Sequence, residues 1–139
     1  MLLCQVELRS LEDVENQPTY YIVGRYGFDP ELQVGEDIWI NWQVARQNLE
    51  IEATVTSRRK EIYVDGQGVA LTMSEADKAK FSAIYPDGIQ ALMEGASLFL
   101  VRIFVEAKDR DVLFQIQAAI ANSKNLLDGQ KRLPDSMPS

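Results

Sequence analysis

The chain has 139 residues, of which 46% are hydrophobic and 25% are charged, as expected for one ordinary globular domain with its own core. Its formal net charge of −7 argues against general binding to nucleic acids or acidic membranes, because phosphate recognition depends mostly on clustered Lys and Arg. The absence of histidine excludes Ser-His and Cys-His nucleophile activation and imidazole acid-base chemistry.

The amino-terminal residues lack the features of a secretory signal. Residues 1–7 have neither a basic flank nor a long apolar run, and no segment approaches the roughly 18 apolar residues of a membrane span. We therefore expect a cytoplasmic protein without membrane insertion. Cys4 has no second cysteine to pair with, and its alternation with Leu2 and Val6 predicts a core position on a strand.

The first half of the chain shows the period-two alternation of strands. A polar connection over residues 10–17 separates the first two predicted strands, and a turn at Asp29-Pro30 follows the second. Arg58-Arg59-Lys60 is interpreted as a solvated hairpin turn, and Asp65-Gly66 as a second one, because Asp-Gly is a strong hairpin signal. The predicted strands cover residues 2–8, 19–23, 38–44, 49–55, 62–64 and 69–73.

The second half is mostly helical. Ser74 and Asp77 resemble a capping box, which predicts a helix that ends before Pro86, followed by a short helical turn over residues 87–93. Residues 98–105 are apolar almost throughout, as in a central strand covered on both faces. Helical spacing then runs from Asp109 to a stop at Gly129.

These elements predict a single α+β domain over residues 1–129, with a mobile tail over residues 130–139. The sheet is expected to be a small antiparallel β-barrel or a strongly curved sheet, with helices at its C-terminal end. The sequence has no phosphate-binding loop, dinucleotide fingerprint, cysteine pair or calcium-loop pattern. We therefore predict no catalytic residue, no cofactor and no metal; an enzyme based on carboxylates, Lys or Tyr is the alternative.

Four features recur in order over residues 32–85: the turn Leu32-Gln33-Val34-Gly35-Glu36 before a strand, the strand over residues 49–55, Gly66-Gln67-Gly68-Val69, and the helix after Ser74. Together they resemble the later strands of a PilZ domain, a small β-barrel family of bacterial signalling whose members often bind cyclic di-GMP. This resemblance implies a PilZ-like core at about residues 18–85.

The chain departs from that family at the nucleotide site. The ligand-binding members carry an Arg-x-x-x-Arg segment and an Asp/Asn-x-Ser-x-x-Gly strand, and neither occurs here. The resemblance thus implies that cyclic di-GMP is not bound in the usual way. Any unconventional ligand site would depend on Arg25, Arg58 and Arg59, because guanidinium groups pair with phosphate oxygens.

Two functions fit these observations. The first is a non-catalytic regulatory or protein-interaction module, with another protein or a second copy of the chain as partner. Its candidate contact residues are Trp39 and Tyr26, because Trp and Tyr are frequent interface anchors. The alternative, based on the charge of −7, is an acidic inhibitor or chaperone-like protein that covers a basic partner surface.

Overall fold

The computed structural model describes the backbone of residues 1–131 and the side chains of residues 1–123. It contains five strands and four helices in the described part of the chain. In chain order these are β1 (Leu2–Val14), β2 (Gln17–Tyr26), β3 (Asp37–Val44), β4 (Gln47–Tyr63), α1 (Gln67–Thr72), α2 (Glu75–Ile84), α3 (Gly88–Met93), β5 (Leu98–Ala107) and α4 (Asp111–Lys131).

The strands form one mixed sheet in the order β2-β1-β5-β4-β3. Strands β1 and β5 are parallel, and the other neighbouring pairs are antiparallel. The prediction of an α+β fold is confirmed, and β5 is central as expected. The alternative of a closed barrel is wrong, because the edge strands β2 and β3 are not paired with each other. The contact between Tyr21 of β2 and Trp42 of β3 indicates that the open sheet is curved.

Two tight hairpins connect β1 to β2 and β3 to β4. The turn residues Glu15 and Asn16 both have positive φ, as do Ala45 and Arg46, which is the backbone of a type I′ turn. The register pair Val14 and Gln17 closes the first hairpin directly, so residues 10–14 are strand and the predicted polar connection over residues 10–17 is wrong.

Strand β4 runs straight through the predicted hairpin turn at residues 58–60. A β-bulge at Thr56 shifts the alternation of β4 by one residue, so that Ser57 pairs with Phe104 and Arg58 with Ile103. The three cationic residues are therefore strand residues paired with β5, and the prediction of a solvated turn at this position is wrong.

The predicted strand over residues 69–73 is also wrong, because helix α1 occupies residues 67–72. Gly66 precedes this helix with an ordinary φ of −78° and does not form a hairpin turn. Its small size serves close packing instead, since an added Cβ would lie 2.6 Å from the Ala96 carbonyl oxygen and would clash with Leu92.

One face of the sheet, which we call the concave face, carries the main core. Helix α4 packs on this face through Leu113, Ile116 and Ala119, against buried residues of β1, β4 and β5. The loop over residues 27–36 covers another part of the face, where Leu32 packs against the core. The buried strand residues of this core are Cys4, Val6, Leu8, Val44, Leu49, Ile51, Ala53, Val55, Val101, Ile103 and Val105.

The opposite face, which we call the convex face, is covered by α1, α2 and α3 at one end. Leu3, Leu98 and Leu100 of the sheet meet Phe81 and Leu92 of these helices there. Helix α2 begins as predicted, with the Ser74 hydroxyl accepting a hydrogen bond of 3.1 Å from the Asp77 N–H. The start of β5 is thus covered on the convex face, whereas Phe99 on the concave face is exposed, so the predicted coverage on both faces is wrong at this residue.

Helix α4 begins at Asp111, whose N–H donates a hydrogen bond of 2.9 Å to the Asp109 carboxylate, and it continues past the predicted stop at Gly129. The predicted mobile tail over residues 130–139 lies outside the described residues from residue 132 onward. None of the described helices combines the length and apolar character that crossing a membrane requires.

Candidate functional site

The three arginines that the sequence indicated for a ligand site lie on different parts of the sheet. Arg58 and Arg59 are consecutive residues of β4 and therefore project to opposite faces. Arg58 lies on the concave face and donates hydrogen bonds to the Leu32 carbonyl and the Asp29 carboxylate. Arg59 lies on the convex face and pairs with Glu61 at 2.9 Å. The structure does not bring these two guanidinium groups together.

Arg25 lies on β2, on the convex face beside helix α2. Its Nη2 donates a hydrogen bond of 3.0 Å to Asp77 Oδ1, and its Nε donates one of 3.4 Å to Gln5 Oε1. It borders a shallow cavity of about 150 Å³ between the sheet and helices α1 and α2, whose lining also includes Tyr63 and Phe81. Arg25 therefore ties β2 to α2 through an ion pair.

Trp39 is an exposed residue of the edge strand β3. Its side chain is 65% exposed on the convex face, and its register partner on β4 is Glu52. Glu50 follows on the same face as the partner of Asn41. Trp39 thus lies beside two carboxylates, in a part of the convex face that α1, α2 and α3 do not cover.

Tyr26 ends the other edge strand, β2, and lies on the concave face as the register partner of Cys4. Its ring contacts the exposed Phe28, with centroids 5.5 Å apart. Tyr26 and Trp39 therefore occupy opposite faces and opposite edges of the sheet, and they do not belong to one surface.

The concave face carries a row of large apolar side chains beyond the cover of α4, of which two are exposed and one, Leu2, is partly buried. Phe99 of β5 is the register partner of both Leu2 on β1 and Ile62 on β4, so the three residues lie side by side on adjacent strands. Ile62 is 62% exposed and Phe99 is 47% exposed. We call Leu2, Ile62 and Phe99 the apolar patch; the pair Tyr26–Phe28 lies at the same end of the sheet.

The convex face carries a cluster of ionic and aromatic side chains with a structural role. The Arg102 guanidinium holds the nearly buried Glu7 carboxylate through two hydrogen bonds of 2.7 and 2.9 Å and stacks on the Phe104 ring. The hydrogen bond with Glu7 raises the pKa of Arg102 above its ordinary value. The Tyr20 ring completes this cluster, with its centroid 4.9 Å from the centroid of the Phe104 ring.

Other groups with shifted pKa values form small pairs in separate places, such as Cys4 with Asp29 and Asp37 with Lys108. Burial raises the pKa of the Cys4 thiol to about 11, with the Asp29 carboxylate as a smaller contribution. Hydrogen bonds from Lys108 and Thr54 lower the pKa of Asp37 at the β3 edge. Among the described residues no three Cys, Asp or Glu side chains gather closely enough to hold a metal ion.

The sequence did not point to the apolar patch. Ile62 and Phe99 fall in predicted strands, and Phe99 was expected to be covered on both faces. Their exposure depends on where α4 and the loop over residues 27–36 end on the concave face, which no local pattern encodes. The excess of apolar side chains over polar ones at the start of β5 is the one local signal that could have drawn attention to it.

Comparison of the chain with protein-family models, with curated proteins and with solved structures finds no match. The resemblance to a PilZ domain accordingly stays a prediction.

Proposed function

We propose that the chain is a non-catalytic protein-interaction or regulatory module that binds its partner with the apolar patch. The observation that carries this proposal is the cross-strand pair Phe99–Ile62, in which two large apolar side chains are exposed side by side on the sheet. Contiguous apolar surface of this kind marks interaction sites, because removing it from water on binding is favourable.

The surroundings of the patch support this assignment. The rest of the concave face is covered by α4 and the loop, so the exposed end is the part of that core surface that a partner can still reach. Aromatic side chains stand nearby in the pair Tyr26–Phe28, and such side chains are frequent among the residues that dominate binding energy.

The distribution of ionisable groups supports a non-catalytic function. Catalytic sites concentrate groups of shifted pKa in one cleft, whereas here they form separate small pairs, Cys4 with Asp29 and Asp37 with Lys108, away from Arg102. The separation of Arg58 from Arg59 likewise supports the prediction that cyclic di-GMP is not bound in the usual way. Isothermal titration with cyclic di-GMP should then give no heat of binding.

The proposal is tested by photo-crosslinking in the cells that make the protein. A benzoylphenylalanine in place of Phe99 should give one discrete adduct, and Ile62→Asp in the same chain should remove that adduct. The matched control is the same substitution at Phe114, which is 58% exposed on α4 and outside the patch. The proposal fails if position 99 gives no adduct, or if positions 99 and 114 give the same products.

The acidic inhibitor is the second candidate, and the surroundings of Trp39 favour it. An exposed indole beside Glu52 and Glu50 could hold a Lys or Arg of a basic partner by a cation–π contact and ion pairs. Crosslinking from position 39 in place of position 99, to a partner whose binding weakens strongly with added salt, would support this candidate over the first.

A further inference from the structure

Strand β4 is longer than the strand that covers its outer side. Strand β3 pairs with β4 between Gln47 and Thr54, and the loop adds hydrogen bonds from Gly35 N–H to Val55 O and from Val55 N–H to Glu36 O. Residues 57–63 pair with β5 on one side. On the other side, no described backbone group forms a hydrogen bond with them. We call residues 57–63 the free edge.

Within the described part of the chain, the free edge presents unpaired backbone groups in a regular order. In an antiparallel pair, successive residues direct their N–H and C=O groups alternately toward and away from the neighbouring strand. About half of the free-edge residues therefore point these groups away from β5. This is the geometry onto which an extended segment adds as a further strand.

The side chains of the free edge define what such a segment would meet. On the concave face Lys60 and Ile62 are exposed two residues apart, and Ile62 belongs to the apolar patch. On the convex face Arg59 is 63% exposed. Residues 57–63 contain three cationic side chains, of which Arg58 pairs with Asp29 and Arg59 with Glu61, so Lys60 is the cation without an ion pair among the described residues.

The charge of the free edge distinguishes between two possible binding partners, a second copy of this chain and a segment of another protein. A second copy that added its own free edge would bring its Lys60 close to this Lys60, and like charges opposite each other destabilise a strand pair. Cations on an edge strand hinder such pairing. An acidic segment from another protein meets the opposite situation, because its carboxylate pairs with Lys60 across the new strand pair.

We propose that this chain binds an acidic, extended segment of another protein as an added strand along the free edge. The segment carries a carboxylate opposite Lys60 and an apolar residue two positions away, which packs on Ile62 and Phe99. The inference rests on the proposed function and specifies its partner and binding mode.

The test selects peptides from a random nonapeptide library against the full chain. Sequences that pair an Asp or Glu with an apolar residue two positions away should be enriched. An enriched peptide should bind the Lys60→Glu variant roughly tenfold or more weakly, as the loss of a charge pair predicts. Lys108→Glu is the matched control, because Lys108 is also exposed but lies near Asp37 at the β3 edge.

A second measurement tests the strand geometry. Methylation of alternate backbone nitrogens along one side of an enriched peptide should abolish binding, whereas methylation on its other side should leave binding unchanged, because one side of an added strand faces β4. Thermal melting of each variant checks that it remains folded.

The inference is overturned if basic peptides are enriched, if Lys60→Glu and Lys108→Glu bind equally well, or if both methylated peptides still bind. It is also overturned if no peptide is enriched. The crosslink from position 99 distinguishes these failures from failure of the proposed function. An adduct at position 99 together with any of these results rejects strand addition and leaves the interaction module standing.

Discussion

The rings of Tyr21 and Trp42 lie 5.7 Å apart although they belong to β2 and β3, the two edge strands of the sheet. Four strand spacings would separate these edges by about 19 Å in a flat sheet. The contact therefore requires a sheet that curls until its two edges approach each other over the concave face. It closes the core beneath α4 by side-chain packing, without the backbone pairing of a barrel.

Substitution of Trp42 by Ala is expected to destabilise the fold by about 3 kcal/mol, because it removes a large ring packed against the concave core. Trp39→Ala should change the free energy of unfolding by no more than about 0.5 kcal/mol, since its ring is exposed. Urea unfolding followed by circular dichroism measures both values. Equal losses for the two variants would contradict the arrangement of the two rings.

Arg102→Ala should destabilise the protein by about 3 kcal/mol, because it leaves the nearly buried Glu7 carboxylate without its partner. Arg59→Ala is the matched control on the same face, and the loss of its exposed pair with Glu61 should change stability by at most about 1 kcal/mol. In the double variant Glu7→Leu/Arg102→Leu much of the loss should be recovered, because no charge remains buried. A double variant as unstable as Arg102→Ala would argue against this pair as the cause.

Asp29 should contribute to stability at neutral pH and lose that contribution in acid. Burial alone would raise the pKa of Asp29, but the hydrogen bonds from the Glu31 N–H and from Arg58 outweigh it and hold the pKa below its ordinary value of 3.8. A group with a lowered folded pKa stabilises the fold above its unfolded pKa, and this stabilisation disappears as the pH falls through the folded pKa.

The stability difference between wild type and Asp29→Asn should therefore be largest near neutral pH and shrink below about pH 4. Chemical denaturation at several pH values measures it. In an Arg58→Gln background the same comparison should depend less on pH. A difference that stays constant from neutral pH into acid would contradict the role of the Asp29–Arg58 pair.

The Cys4 thiol should be unreactive in the native protein. Its side chain is fully buried, and burial raises its pKa to about 11, so the reactive thiolate is scarce at neutral pH. Ellman's reagent should modify Cys4 when the protein is unfolded in denaturant and leave it unmodified in the native state. A Ser57→Cys variant in a Cys4→Ala background provides the exposed thiol that reacts at once. Rapid native modification of Cys4 would contradict its core position.

The elements that could be predicted are those whose signal lies within a few neighbouring residues of the sequence. The alternation in β3, the Ser74 cap of α2 and the apolar run of β5 each correspond to an element in the structure. The prediction of a hairpin turn at Gly66 was wrong because glycine occurs both where a turn requires positive φ and where close packing leaves no room for a side chain. Here Gly66 packs against Leu92 and Ala96.

The course of β4 could not be predicted because of its bulge. The alternation of Leu49 to Val55 would place Arg59 inward if it continued, and the extra residue Thr56 reverses this phase. The turn at Ala45-Arg46 contains neither glycine nor asparagine, so it lacks the usual signal of positive φ, and the turn at Glu15-Asn16 carries that signal only at Asn16. The apolar patch, in turn, depends on the reach of a helix and a loop from elsewhere in the chain.

Residue-resolved hydrogen exchange of the free edge tests the interaction account most directly. The account predicts that amides of residues 57–63 alternate between protected and rapidly exchanging in the free protein, because one half points toward β5 and the other half toward solvent. Addition of an acidic peptide enriched from the nonapeptide library should protect the amides that exchange rapidly in the free protein. Uniform protection of residues 57–63 in the free protein, or no change at saturating peptide, would contradict an open edge that receives a partner strand.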